Sequence, residues 1–169
     1  MNILETDRLA LRWLGTGDAA FILRLLNDPS WLRYIGDRGV RTLDDAESYL
    51  RNGPLTMYAR LGFGLYLVET KASTLPIGIC GFVKRETLDD VDLGFALLPA
   101  FRGKRYAFES ASATMAYGRR VLGLSRVVAI TAPDNAPSIR LLERLGFGFE
   151  RFVRLGEDDE ELKLYAATA

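Results

Sequence analysis

The chain has 169 residues, 49% of them apolar, with 22 basic and 22 acidic side chains and no histidine. That apolar share can bury a sizeable core in one domain over residues 1–169, and a formal net charge of +0 excludes bulk nucleic-acid binding through surplus positive charge. One cysteine, Cys80, and no histidine exclude an internal disulfide and the common zinc sites, so no metal is expected and a proton-transfer base must be a carboxylate, a tyrosine, a lysine or water.

Glu5 and Asp7 stand where a signal peptide needs a basic segment, and no window approaches 18 consecutive apolar residues. A cytoplasmic protein without a membrane partner is expected. Leu9, Leu11 and Trp13 alternate with polar or small residues as a strand with one buried face. Asp18 is placed to cap a helix carrying Phe21, Ile22, Leu25 and Leu26, which stops near Asn27-Asp28-Pro29. Trp31, Leu32, Tyr34 and Ile35 suit a short second helix. Thr42 with Asp45 forms a capping-box pattern before a helix that ends near Asn52-Gly53-Pro54.

From Phe63 the period changes to two. Residues 63–68 and 77–83 read as an antiparallel pair, and Val91 to Leu98 as the next strand, with Gly94 marking a bulge or a close approach. That strand runs through Pro99 into Arg102-Gly103-Lys104-Arg105, and a helix of small residues follows to Gly118. Residues 124–131 form a strand, Asn135 or Asp134 caps a helix through Ile139, Leu142 and Leu145, and residues 147–153 and 162–166 are the last two strands. The acidic run from Glu157 to Glu161 reads as a solvated hairpin loop that could also attract a cationic amine.

A strand feeding a helix through a glycine-containing basic turn makes an anion site. The first amides of a helix lack intrahelical partners, and the helix dipole adds positive potential there. Three basic side chains around that turn point to more than one phosphate; a plain solvated helix start is the alternative. The ligand crevice is expected beyond the carboxyl end of the Val91 strand, beside the Leu124 strand.

These blocks resemble the GNAT acetyltransferase superfamily, and within it the RimJ/RimL-like branch that acetylates protein N-termini and some small amines. Glu5 to Arg12 resembles the opening strand of that branch, Asp92-Leu93-Gly94-Phe95 with Leu98-Pro99 its fourth strand, Phe101 to Ala107 its acetyl-CoA loop, and Asn135, Ser138 and Leu141 to Phe147 its second block. The resemblance implies an α/β (α+β) fold with a mixed, mostly antiparallel seven-stranded sheet and helices on both faces. It implies acetyl-CoA as co-substrate, with Leu97, Arg102, Gly103, Lys104, Arg105, Tyr106, Ala107, Asn135 and Ser138 binding it. Arg105 departs from the family pattern, which has glycine there; a helical backbone would accommodate the arginine. The tyrosine that many members use to protonate the coenzyme thiolate is replaced by Leu142, leaving Ser138 as the nearest hydroxyl.

The reaction implied is direct attack of a primary amine on the thioester, the acceptor being a protein or peptide N-terminus or else a small amine. A non-catalytic acyl-CoA-binding module is the third alternative. Asp92 ranks first as base, Glu86 second and Glu69 third, with a water relay as the alternative to any side chain. Trp31, Tyr34 and Phe95 are candidate substrate-binding residues, and Tyr58 shares that region. Cys80 in its apolar strand reads as core rather than nucleophile. A homodimer is left open, since no sequence feature fixes it.

Overall fold

The computed structural model describes residues 2–168. Its strands are β1 (Asn2–Glu5), β2 (Leu9–Trp13), β3 (Leu65–Thr70), β4 (Pro76–Val83), β5 (Val91–Leu97), β6 (Arg126–Thr131), β7 (Gly148–Val153) and β8 (Leu162–Thr168). Its helices are α1 (Ala19–Leu26), α2 (Pro29–Tyr34), α3 (Leu43–Asn52), α4 (Pro54–Leu61), α5 (Tyr106–Arg120) and α6 (Ala136–Arg144). The strands form one sheet of eight, not seven, in the order β1-β2-β3-β4-β5-β6-β8-β7. The extra strand is β1, which turns back through Thr6 to pair antiparallel with β2. Its four residues are too few to show an alternation, so sequence gave no signal for it.

Alternation along the strands sorts side chains into two cores, because successive residues point to opposite faces. Tyr66, Val68, Cys80 and Phe82 face a core shared with Ala111 and Met115 of α5 and Leu142 of α6. Leu67 and Ile79, between them in sequence, face the other core with Ile22 and Leu25 of α1, Trp31 of α2, and Ala46 and Leu50 of α3. Where β3 and β4 meet, a Cβ on Gly81 would stand 2.1 Å from the Gly64 carbonyl oxygen, so only glycine permits the pairing. The equivalent approach at Gly94 is to a side chain, Leu65.

Local signals set most helix starts. Thr42 accepts from the Asp45 amide at 3.1 Å and Asp45 accepts from the Thr42 amide at 3.2 Å, a reciprocal cap on α3 that is worth about 1 kcal/mol. Asp18 caps the Thr16–Asp18 turn ahead of α1, rather than α1 itself, by accepting from the Gly15 amide at 2.9 Å. Helix α4, begun by Pro54 at its first position, had no apolar period distinct enough to announce it.

The feature that makes a site is the partnership of β5 with β6. They pair in parallel at only Val91↔Val127 and Asp92↔Val128. Beyond Asp92 they diverge, while β4 stays paired with β5 as far as Leu97. One edge of β5 is therefore open in the middle of the sheet.

Candidate active site

Two cavities meet at that divergence. The first, about 310 Å³, lies over the base of the gap and is lined by Asp92, Arg85, Phe95, Tyr49, Arg38 and Thr131 among others. The second, about 550 Å³, runs past Leu97 and the 102–108 loop to the first turns of α6. Trp31, Tyr34, Phe95, Asn135 and Ser138 line both, so these residues form the junction.

Asp92 is the most unusual group in the first cavity. It is 1% exposed, with Oδ2 held by Arg85 Nε at 2.9 Å and Oδ1 lacking any hydrogen-bond partner. Burial pushes its carboxyl up to about 6, Arg85 pulling it partly back and the Ile130 amide less so. A surface charge facing solvent, the ordinary reading of an aspartate at this point, is excluded by that burial. The two lower-ranked carboxylates lie elsewhere. Glu86 is exposed on the β4–β5 turn, and Glu69 pairs with Arg12 at 3.5 Å on β3; neither lines a cavity.

The loop before α5 corrects one expectation. Arg105 adopts φ 65° and ψ 14°, in the left-handed region, not a helical conformation. An arginine there carries a cost of about 1–2 kcal/mol that glycine avoids. Gly103 is also left-handed, at φ 77°. The result turns the amides from Gly103 to Phe108 away from the chain's own carbonyls. None of them donates to a protein acceptor among the described residues, and alternating backbone hands of this kind gather such amides into an anion cradle.

The basic side chains divide unexpectedly. Arg102 is held by the protein, donating to Asp28 at 3.0 Å, Ser30 Oγ at 2.9 Å and the Leu97 carbonyl at 2.9 Å. It ties the loop to the capped start of α2 and also lines the larger cavity. Lys104 is exposed and lines neither cavity. Arg105 does line the larger one, and so do Arg140 and Arg144. The last two were missed in sequence, although their spacing of four on one helix puts them on a single face.

Asn135 caps α6 by accepting from the Ser138 amide at 3.4 Å, which leaves its side-chain NH2 uncommitted among the described residues. Leu142 is fully buried in the α5 core and offers nothing to a thiolate. Tyr58 is core as well: its hydroxyl accepts from the Leu14 amide at 3.0 Å and donates to the Leu65 carbonyl, and its ring stacks on Trp13. Burial pushes the Cys80 thiol up to about 11, and its neighbour is the Thr114 hydroxyl at 3.4 Å, an inert arrangement.

Residues 8–148 match the family model described as "Acetyltransferase (GNAT) domain". The chain belongs to the GNAT acetyltransferases. The uncharacterized N-acetyltransferase YoaA of Bacillus subtilis is 30% identical over 154 residues, which cover 90% of this chain and 86% of that one. The [Ribosomal protein uS5]-alanine N-acetyltransferase of Escherichia coli is 28% identical over 162 residues, covering 89% of this chain and 80% of that protein. In structure, the Salmonella typhimurium acetyltransferase that modifies the N-terminal serine of a 50S ribosomal subunit protein superposes with a TM-score of 0.83 at 19% identity, over 100% of this chain and 99% of that one. The protein is thus an acetyl-CoA-dependent GNAT acetyltransferase, and the reading as a non-catalytic binding module falls away. Among the described residues no cluster of metal-ligating side chains occurs, and no helix is long and apolar enough to cross a membrane.

Proposed function

We propose that this enzyme acetylates a primary amine by direct attack within a ternary complex, with Asp92 taking the proton of the amine. One observation carries the reading: Asp92, a buried carboxylate with one oxygen left unpaired, belongs to the wall of a cavity that adjoins the coenzyme-sized cleft. Acetyl-CoA would supply an activated thioester carbonyl, whose C–S bond would break as the C–N bond forms, with coenzyme A leaving as the free thiol.

The residues present fit a coenzyme with a diphosphate. The unpartnered amides of Gly103 to Phe108 accept it at the start of α5, and Arg105, Arg140 and Arg144 surround the outer cleft with positive charge. Leu97, Tyr106 and Ala107 wall the cleft, and the open edge of β5 offers backbone groups to a peptide-like arm, as a missing strand would. The free NH2 of Asn135 adds a donor at the junction. Ser138 and Tyr34 bring hydroxyls to both cavities, and in this reading Ser138 serves the departing sulfur.

Asp92 is suited to its role by its environment. A base poised near neutrality is deprotonated at working pH yet basic enough to accept a proton. Arg85 fixes one oxygen and leaves the other free. In this reading a β5 amide at Phe95 or its neighbour polarises the carbonyl. Holding the two reactants in line supplies up to about 7–11 kcal/mol of the barrier reduction.

A protein or peptide N-terminus is the acceptor that the likeness to the ribosomal-protein acetyltransferases supports. A compact small amine is the second reading, supported by the modest 310 Å³ of the acceptor cavity. The test is thiol release from acetyl-CoA with ribosomal-protein N-terminal peptides, amino acids and polyamines as acceptors. If none exceeds the acceptor-free control, the transfer reading is wrong.

A further inference from the structure

The charge inventory of the acceptor cavity narrows the class of amine, given the transfer reading above. Among the described residues Asp92 is the only carboxylate that lines it. The other charged side chains on its wall are two arginines, Arg38 and Arg85. Arg85 is neutralised by its 2.9 Å ion pair with Asp92. Arg38 makes no ion pair or hydrogen bond among the described residues. Both guanidinium groups lie close enough to act on the Tyr49 hydroxyl, which lines the same cavity, so the two cations share one side of it.

A third donor is left without a partner. Trp31 is 5% exposed, lines the cavity, and its indole Nε1 finds no acceptor in the protein. Burying an N–H unpaired is costly, so a ligand acceptor placed there is rewarded. The cavity wall therefore carries two buried polar atoms without a protein partner, the acceptor Asp92 Oδ1 and the donor Trp31 Nε1, together with the solvent-exposed guanidinium of Arg38. A monoamine meets only the first. A polyamine meets the first and is repelled by Arg38. An amine that bears its own carboxylate meets all three.

We infer that the acceptor is a primary amine carrying a nearby carboxylate, its anionic group held by Arg38 and the Trp31 indole while its nitrogen faces Asp92. The acidic hairpin loop at residues 157–161 does not oppose this. Its side chains are exposed and outside the cavity, although Leu155 and Leu162 at its feet belong to the wall. Free amino acids and peptides whose second residue is acidic offer the same chemistry.

The experiment measures binding separately from turnover. Protein saturated with coenzyme A is titrated calorimetrically with L-leucine, L-leucinamide and 1,4-diaminobutane, and with the amidated tripeptides Ser-Asp-Ala and Ser-Asn-Ala. The expected result is that a carboxylate-bearing member binds roughly tenfold or more tightly than its uncharged counterpart. Whether leucine or the aspartyl peptide shows the gap identifies the source. Arg38→Gln, in an exposed loop, should erase the gap and leave coenzyme A affinity unchanged. Trp31→Phe, which keeps the ring and loses the N–H, should narrow it. Equal affinities within each pair, a gap that survives Arg38→Gln, or no binding by any member overturns the inference. Thiol release is recorded in parallel: carboxylate-selective binding without release sustains the inference and sinks the transfer chemistry, whereas equal release from acids and amides does the reverse.

Discussion

The two cavities that meet at Phe95 and Ser138 are built from different material. The coenzyme cleft is made largely of backbone: a strand edge without a partner and a run of amides at a helix start. The acceptor cavity is made of side chains, with Asp92, Arg85, Arg38 and Trp31 supplying its polar groups. A backbone site survives substitution, which is why an arginine can occupy the left-handed position before α5 that favours glycine. A side-chain site changes its ligand with each substitution. Common chemistry therefore resides in the first and selectivity in the second.

The largest effect that would break this division falls on the acceptor side. Asp92→Asn should lower kcat/KM by roughly 10²–10⁴-fold with the KM for acetyl-CoA little changed. The wild-type rate should rise with pH through about 6, as Asp92 loses its proton, and that limb should vanish in the variant. A pH–rate profile for the two proteins decides it. An unchanged rate would leave the proton to a water relay.

On the coenzyme side, the paired change Arg140→Ala with Arg144→Ala should raise the KM for acetyl-CoA by about tenfold. It should also flatten its dependence on ionic strength, with kcat nearly intact, because these side chains add only charge. Initial rates at low and high salt measure this. A comparable loss in kcat would mean that the cleft is less of a backbone site than its geometry indicates.

Asp92 also gives a stability signature. Its value in the fold, about 6, lies above the 3.8 of the unfolded chain, so the fold favours the protonated form. The stability contributed by that form is present in full below 3.8 and is lost as pH rises through about 6. Thermal midpoints across that window should fall in the wild type and fall less in Asp92→Asn.

The smallest effect sharpens the comparison most. Arg105→Gly should stabilise the fold by about 1 kcal/mol by relieving the left-handed strain. Its effect on coenzyme affinity reports whether the side chain contributes beyond the backbone cradle. Denaturant melts read the first and a coenzyme A titration the second.

Much of this was legible in the chain. The capping box at Thr42 and Asp45, the period-two strands, and the glycine-basic turn before α5 are local patterns, and each appears where expected with bounds shifted by a few residues. Asp92 is singled out by the family resemblance and not by a local pattern. What the sequence lacked was everything set by distance along the chain. The four-residue β1 carries too little pattern to be seen alone. Arg102 reads from sequence as a phosphate ligand alone; the fold also brings Asp28 and Ser30, more than seventy residues upstream, against it while it lines the larger cavity. Lys104 and Glu86 have suitable chemistry and point elsewhere.

The sequence by itself determined which segments become strands and helices, because backbone preference and apolar period act within a few residues. It also determined that a helix would begin with free amides after Arg102. Only the tertiary structure decided which charges remain free. Desolvation of Asp92, neutralisation of Arg85 and Arg102, and the isolation of Arg38 and the Trp31 indole depend on what packs against each group. That neighbourhood is assembled from segments far apart in the chain, and no local pattern encodes it.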